Sequence, residues 1–398
     1  WVLQADDVKV EYFGARGDGV TDDYPAINKA AQYAAKNNQE LKFSDAVYLC
    51  LSEIIIDGAD TLFKAVRWVG TFKGTGTSAG YSYWTGTQGT VILTKGNNLL
   101  TTEFKRLVNE NIIVDGVAFV DLDKTHPLVN PASYAIRISK GDLAVYPDHL
   151  RYITGLQFNN VAFVGYQHPI KFRGNYTKSQ GGYTANYIGP TFFNHCYIYE
   201  CNMGVVVENA TLNRLLIGKS LFFNINHGAI VKQEALDIPA NERTESIVMC
   251  QINMSHFESC WGIFRFSGQP PANEFKNQIT MIDVTREFCG LYDGQNGPPY
   301  GILEYTDIRI SGRHDQYGEN AVPSIGIGST LTSETLMKAR ILPEGGKSLS
   351  PTKINVDSKT VTVDAKSSKI VSVIGSDADK PFDITVKVVI NGGTHGYK

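Results

Sequence analysis

The sequence lacks the features of a membrane protein and of a nucleic-acid-binding protein. None of its apolar runs approaches the roughly 20 residues that span a bilayer, and its start has no basic stretch followed by a hydrophobic core. Its formal net charge is only -3, so a basic surface for nucleic acid is not expected. We therefore expect a soluble chain with neither a membrane nor a nucleic-acid partner, for which a glycan is the better fit.

Signals for metals, nucleotides and disulfides are also missing. His-x-x-His pairs, closely spaced His/Cys ligand sets and an Asp-rich calcium loop are absent. The six cysteines are scattered rather than paired, so we expect buried, reduced thiols, which suit synthesis in a reducing host cytoplasm. We expect no cofactor and no bound metal.

The N-terminal region contains the most specific pattern, a glycine-rich loop followed by a short helix. Three glycines fall within the segment 13–19, and Thr21 or Asp22 is placed to cap the amides of a following helix. Pro25 suits the first helical turn, and apolar residues then recur at helical spacing until Asn37. The loop lacks the Gly-Lys-Ser/Thr ending of a phosphate-binding loop, so it predicts structure rather than nucleotide binding.

This glycine-aspartate loop, with Ala26 and Ile27 after it, resembles the entry segment of the pectate-lyase-like right-handed β-helix superfamily. Val47 and Tyr48, and the glycine-rich run 70–76, match the same pattern, so the resemblance covers about the first hundred residues. It implies an all-β fold, a right-handed parallel β-helix (solenoid) with a short N-terminal capping α-helix. Many members are phage tailspikes and depolymerases, but the superfamily also holds lyases, esterases and inactive adhesins, so the fold does not name the reaction.

Repeated segments in the middle of the chain fit such a solenoid, because its coils must stack on each other to bury their apolar faces. Residues 111–119 resemble 153–163, and three later segments align when Gly204, Gly228 and Gly262 are superposed. Gly290 continues the series loosely. Unequal spacing with a constant strand core is what insertions into one loop of each coil would produce.

Composition divides the chain into three predicted regions. Residues 1–100 form the entry and cap, and 101–344 form the β-helix, whose polar loops would line a groove. After about residue 345, Ser, Lys, Thr and Val alternate as in half-exposed strands, so 345–398 is predicted to be a small β-sandwich-like domain.

The alignment also predicts which acids lie together. Residues at equivalent positions of adjacent coils stack about 4.8 Å apart. Glu258 and Glu287 on neighbouring coils would hold carboxylates about 5 Å apart, as in a retaining glycosidase. Glu200 and Glu258 flanking Asn224 would lie about 10 Å apart, near the inverting range. Asp283 is a further candidate, and each acid could instead serve as a turn or surface residue.

Other residues near these acids are candidates for binding sugar. Trp261 could stack on a sugar ring and Arg265 could bind an acidic or hydroxyl group, although Trp261 could equally be a packing residue. Arg286 could form a surface ion pair, and a histidine beside a proline is more often structural. The predicted substrate-binding set is Trp261, Arg265, Arg286, Tyr166, His168 and Glu234.

These observations favour a tailspike-like depolymerase that binds and hydrolyses a bacterial surface polysaccharide, either capsule or O-antigen. From the resemblance we expect a homotrimer on the phage virion tail, which acts at the bacterial cell surface. A polysaccharide lyase on the same fold, using Lys171 with Arg173 or Arg265 with Arg286, is the alternative enzyme. A non-catalytic glycan-binding spike is the alternative outside enzymes, and a pectin-degrading enzyme is also compatible with the entry motif.

Overall fold

The computed structural model describes most of the chain up to residue 289 and three strands beyond it. The described residues are 7–57, 66–74, 89–104, 112–123, 133–140, 152–153, 155–174, 176–179, 182–208, 210–233, 247–260, 262–266, 277–287, 289, 306–311, 334–342 and 382–389. No helix within these ranges is both long and apolar enough to cross a membrane.

Most described strands stack into three long sheets, named here A, B and C. Sheet A has twelve described strands: Val8–Lys9, Leu41–Lys42, Val66–Val69, Ile112–Asp115, Leu156–Asn159, Thr191–Asn194, Leu215–Gly218, Cys250–Asn253, Asn277–Ile282, Thr306–Ser311, Glu334–Leu342 and Phe382–Val389. Sheet B has nine: Asp18–Asp22, Val47–Leu49, Thr90–Thr94, Val117–Asp121, Ala162–Val164, Tyr197–Tyr199, Leu221–Phe223, His256–Glu258 and Thr285–Glu287. Sheet C has seven: Ile54–Asp57, Leu100–Phe104, Ile136–Lys140, Ile170–Arg173, Val205–Glu208, Ile230–Gln233 and Phe264–Phe266.

A short fourth sheet lies between sheets C and A in the middle coils. It contains the strands Tyr152–Ile153, Gly182–Ile188, Ala210–Asn213 and Ile247–Val248, and Tyr176–Ser179 pairs antiparallel with Gly182–Ile188.

From residue 41 to residue 287 the described strands run through sheets A, B and C in turn and then return to A, and within these three sheets each pairs in parallel with its equivalent in the next coil. Val114 lies opposite Phe158, and Phe119 lies opposite Phe163. This register matches the sequence repeat between 111–119 and 153–163. The predicted parallel β-helix with an N-terminal helix is therefore confirmed.

The interior of the coil is filled by side chains that stack from one coil to the next. Phe158 stacks on Phe193 with ring centroids 4.9 Å apart, and Phe222 stacks on Phe257 at 4.8 Å. All four rings are buried. Because alternate strand residues face opposite sides of a sheet, their neighbours in sequence point outward.

The helix Tyr24–Asn37 packs against the first strands of sheets A and C. It ends where Asn38 adopts a left-handed conformation with φ 55°, as the sequence predicted. Its apolar face covers the first coil and shields the interior from water. The buried residues of this face are Ala26, Ile27, Ala30, Ala31 and Ala34.

The glycine-rich loop before the helix is fixed by two carboxylates. The backbone amides of Arg16 and Gly17 donate to the Asp23 carboxylate at 2.7 and 3.0 Å. The amide of Tyr24 donates to Asp22 Oδ1 at 3.1 Å, which is the capping contact predicted for that residue. These hydrogen bonds fix the loop against the start of the helix.

The corner between sheets A and B repeats one backbone conformation. Asn160, His195, Lys219, Met254 and Asp283 all have φ between 45° and 53°. The amide of each of the first four donates to a carbonyl oxygen of the next coil at 2.9–3.1 Å. The turn is therefore held by hydrogen bonds between coils, although left-handed geometry is unfavourable for residues other than glycine.

In the C-terminal region the structure describes only part of the predicted separate domain. The strand Phe382–Val389 pairs antiparallel with Glu334–Leu342 and extends sheet A. Residues 345–381 lie outside the described residues, so the β-sandwich-like domain and the boundaries at 100 and 344 stay predictions.

Candidate functional site

The outer surface of sheet B, called here the B face, changes character along the solenoid. Its first coils carry apolar side chains that form a cluster separate from the interior. Farther along, the same rows continue as Tyr197 and Tyr199, which pack against that cluster. The next coils place first an aromatic and then polar side chains in line with them. The members of this later patch are Tyr197, Tyr199, Phe223, His256, Glu258 and Thr285.

Three aromatic rings form the first half of the patch. The rings of Tyr197 and Tyr199 stack with centroids 6.3 Å apart, and Phe223 tilts against Tyr199 at 5.7 Å. All three are partly exposed. Burial, the neighbouring Tyr197 and the nearby Glu258 raise the pKa of Tyr199 well above its usual range, so its phenol stays protonated. The rings therefore offer apolar surface with hydroxyl donors at its edge.

A histidine and a carboxylate form the polar half. Glu258 lies directly opposite Phe223 in register. His256, two residues earlier on the same strand, has its Nε2 3.5 Å from Glu258 Oε2 and its Nδ1 2.7 Å from Thr285 Oγ1. In the tautomer with a proton on Nε2, the ring turns a donor towards the carboxylate, and Nδ1 accepts a hydrogen bond from the Thr285 hydroxyl.

The next strand places the position of the predicted partner, Glu287, beside that of Glu258. Glu287 occupies the position opposite Glu258 on the adjacent coil. Adjacent parallel strands lie about 4.8 Å apart. Glu258 and Glu287 are therefore neighbours on adjacent coils, as the sequence predicted. Their catalytic role stays a prediction.

Glu200 and Asp283 do not lie beside Glu258 and Glu287. Glu200 follows Tyr199 at a left-handed corner with φ 50°, and its equivalents are Asn224 and then Ser259 rather than Glu258. The expected alignment of Glu200 with Glu258 was one residue off. Asp283 lies exposed at the corner between sheets A and B.

Arg265 belongs to a different surface from Glu258. Phe264 points into the interior of sheet C, so Arg265 faces outward there, opposite Val231. On this sheet Lys171 Nζ lies 2.6 Å from Glu208 Oε2. The expected subsite that combined Arg265 with Glu258 is therefore split between two sheets.

Tyr166 and His168 are buried rather than presented to a surface ligand. Tyr166 is fully buried, and Thr94 Oγ1 donates to its hydroxyl at 3.0 Å. His168 is 9% exposed at the corner between sheets B and C. Burial, with the neighbouring Lys171, lowers the pKa of His168 to about 4. Both residues pack within the coil, so nothing in their placement supports the predicted contact with substrate, which stays a prediction.

The remaining predicted residues are placed only in part. Trp261 and Glu234 lie outside the described residues. Arg286 lies opposite Phe257 in register. In the part of the chain that the structure describes, no group of three or more His, Cys, Asp and Glu side chains is placed to hold a metal ion.

The environment of His168 predicts acid sensitivity. The pKa of His168 in the folded protein lies below the value of about 6.5 expected in the unfolded chain. Below about pH 6.5 the unfolded chain therefore takes up a proton that the folded chain does not. The contribution of the neutral histidine to the free energy of unfolding is complete above about pH 6.5 and is lost as the pH falls towards 4. The shift corresponds to about 3 kcal/mol of unfolding free energy. In His168→Gln, the loss of stability between pH 7.5 and 4.5, measured by urea titration, should shrink by about that amount.

A graded comparison checks the cause. Lys171→Met removes a positive charge that disfavours the protonated ring, so it should relieve part of the acid-induced loss. An acid-induced loss in His168→Gln equal to that of the unsubstituted protein would contradict this explanation.

Among known proteins, only solved structures are similar to this chain, and the similarity is in the fold. No family model matches the sequence, and no curated protein matches it. A Pantoea stewartii structure, WceF, described as a glycan biofilm modifying enzyme with a bacteriophage tailspike-like parallel beta-helix fold, superposes with TM-score 0.49 and 13% identity. ORF18 of Geobacillus virus E2 gives TM-score 0.41 and 14% identity, and the mannuronan C-5 epimerase AlgE4 A-module of Azotobacter vinelandii gives 0.39 and 13%.

These matches cover most of this chain but differ in how much of the other protein they include. They cover 80%, 85% and 78% of this chain. The chain spans 39% of WceF, 62% of ORF18 and 89% of the epimerase module. Identities this low bear on the fold alone, and the parallel β-helix already follows from the strand register.

Sequence reasoning missed most of the patch as a unit. Tyr197, Tyr199, Phe223, His256 and Thr285 were not proposed as site residues. The signal was present, because residues that alternate with the buried Ile198, Phe222 and Phe257 must face outward. Without the register between coils, however, nothing in the sequence places them side by side.

Proposed function

We propose that this chain binds a bacterial surface polysaccharide along the B face and hydrolyses it with Glu258 and Glu287. The observation that carries the proposal is the register position of Glu287 opposite Glu258, next to the aromatic rings of Tyr199 and Phe223. Partly exposed aromatic rings can stack on sugar rings, and two carboxylates are what glycoside hydrolysis requires.

The spacing of the two acids and the neighbouring histidine assign the roles. The two acids occupy opposite positions of adjacent strands, about 4.8 Å apart, and carboxyl groups about 5 Å apart would fit a retaining mechanism. His256 Nε2 lies 3.5 Å from Glu258 Oε2 and can orient that carboxylate, so we assign Glu258 as the nucleophile that attacks the anomeric carbon. Glu287 then protonates the leaving oxygen and, in the second step, activates the water that releases the sugar.

The biological setting is the second part of the proposal. We infer a homotrimeric tailspike on a phage virion tail, with the β-helix 101–344 as the binding region and 345–398 as a separate C-terminal domain. The resemblance of the N-terminal loop and helix to tailspikes supports this setting. Among proteins of similar fold are ones described as a glycan biofilm modifying enzyme and as a tailspike protein of bacteriophage CBA120.

The first experiment is a panel of purified capsular and O-antigen polysaccharides, with new reducing ends and unsaturated-uronate absorbance followed in the same reaction. We expect reducing ends without absorbance for at least one polysaccharide. Proton NMR of the first-formed product should show the same anomeric configuration as the substrate, because the carboxyl spacing fits retention.

Other outcomes would each replace one part of the proposal. Absorbance that rises with reducing ends would identify a lyase. An inverted anomer would mean that a different, more widely separated acid pair acts. Binding of a polysaccharide with neither signal would identify a glycan-binding spike, in which Glu258 serves only to hydrogen-bond hydroxyl groups.

A further inference from the structure

Two cysteines occupy equivalent positions of neighbouring coils. Cys260 and Cys289 each lie two residues beyond a paired position, since Glu258 lies opposite Glu287. Stacked residues of adjacent parallel strands are about 4.8 Å apart. A disulfide requires Cα atoms about 4.4–6.8 Å apart. If the register continues to these two positions, their Cα atoms lie within disulfide distance.

The side chains also meet. The Cys260 thiol is buried, interacts electrostatically with the Cys289 thiol, and lies 3.4 Å from the carbonyl oxygen of Glu258. Cys289 packs against the same interior cluster but is partly exposed. Cys289 is thus the member of the pair nearer the surface, and Cys260 lies in the interior.

Other cysteines provide a contrast. Cys196 and Cys201 are fully buried, and their sulfurs lie within hydrogen-bonding distance of backbone carbonyl oxygens. Cys50 is also buried, with its sulfur 3.4 Å from the carbonyl oxygen of Ser52. Buried thiols of this kind are inert packing groups. Cys260 makes the same contacts with backbone carbonyl oxygens, and it differs from these thiols in having a second cysteine, Cys289, beside it.

We propose that Cys260 and Cys289 form a disulfide when the protein meets a small-molecule disulfide outside a reducing compartment. The thiolate of Cys289 attacks one sulfur of the small disulfide and releases one thiol, leaving a mixed disulfide on Cys289. The Cys260 thiol then loses its proton and attacks Cys289 Sγ, which releases the second thiol. The two cysteine sulfurs lose two electrons, and the small disulfide is reduced to two thiols.

The cross-link joins the coil that carries Glu258 to the coil that carries Glu287. It closes a loop of residues 261–288, which limits the freedom of the unfolded chain. The second step is slow, because burial raises the pKa of Cys260 and little of it is thiolate at neutral pH. Oxidation should therefore take hours and be complete only with excess oxidant.

The test uses the full chain, reduced and then incubated with excess oxidised glutathione. Free thiols are alkylated under denaturing conditions, and peptides are mapped by mass spectrometry without reduction. We expect one intrachain link between the peptides of Cys260 and Cys289, with Cys50, Cys196 and Cys201 alkylated. The thermal midpoint should rise by about 2 °C or more.

Two variants separate this pair from other thiols. Cys289→Ser should give no intrachain link and no rise in the midpoint, whereas Cys50→Ser should still give both. If a variant folds poorly, the reduced unsubstituted protein should bind one equivalent of phenylarsine oxide, which bridges two adjacent thiols.

The proposal is overturned if both cysteines are alkylated after oxidation, if glutathione remains attached to Cys289, or if the link joins two chains. None of these results depends on whether a polysaccharide is cleaved.

Discussion

Replacing Glu258 with glutamine should lower kcat about 1,000-fold on the polysaccharide that the chain cleaves. Glutamine keeps the shape of the side chain but can neither attack the anomeric carbon nor carry the negative charge that stabilises the transition state. Losses of this kind for one catalytic group fall around 10² to 10⁴-fold. The measurement is the initial rate of reducing-end formation at saturating substrate.

Glu200→Gln is the matched control. Glu200 lies at the end of a sheet B strand one coil from Phe223 but at a corner, where its backbone φ is 50°. The Glu200→Gln variant should cleave the polysaccharide at a rate within about twofold of that of the unsubstituted protein. Both variants should have the same thermal midpoint as the unsubstituted protein. Full activity in Glu258→Gln would show that the B face is not the catalytic site. Loss of activity in Glu200→Gln alone would show that the catalytic residues lie at the corner that contains Glu200.

Phe222→Ala should destabilise the fold by about 3–5 kcal/mol, because it removes a fully buried ring and leaves a cavity. The ring stacks on Phe257 at 4.8 Å, so the neighbouring coil also loses contacts. A urea titration monitored by circular dichroism measures the change.

The adjacent residue provides the control for this substitution. Phe223 is partly exposed on the opposite side of the same strand, so Phe223→Ala should cost much less stability. It should instead raise the KM for the polysaccharide, because it removes one ring of the sugar-binding surface. Equal losses of stability in the two variants would mean that the B face is buried in the working protein, for example between subunits.

The sequence predicted the fold better than the site, and the reason lies in the geometry of the coils. Apolar alternation determines which residues fill the interior, so the match of Phe119 with Phe163 could be predicted. The corners between sheets B and C contain different numbers of residues. Asn224 and Ser259 are equivalent corner residues of successive coils. Gly228 lies four residues beyond Asn224, but Gly262 lies only three beyond Ser259. Superposing these glycines therefore gave a register that was wrong by one residue.

This error of one residue decided the prediction of the site. In a strand, a shift of one residue moves a side chain to the other face. It placed Glu258 in line with Glu200 instead of with Tyr199 and Phe223, so the aromatic half of the patch went unseen. Arg265 was assigned to the same subsite because it is near in sequence, although the chain has by then turned into sheet C.

The corner between sheets A and B has a consequence for how such a protein changes over evolution. Asn160, His195, Lys219, Met254 and Asp283 share one backbone shape yet include amide, imidazole, ammonium, thioether and carboxylate groups. Main-chain hydrogen bonds hold this turn at the first four positions, so the turn does not depend on one type of side chain. A row of surface positions can therefore exchange its chemistry while the scaffold stays the same, which lets recognition of a new surface arise without a new fold.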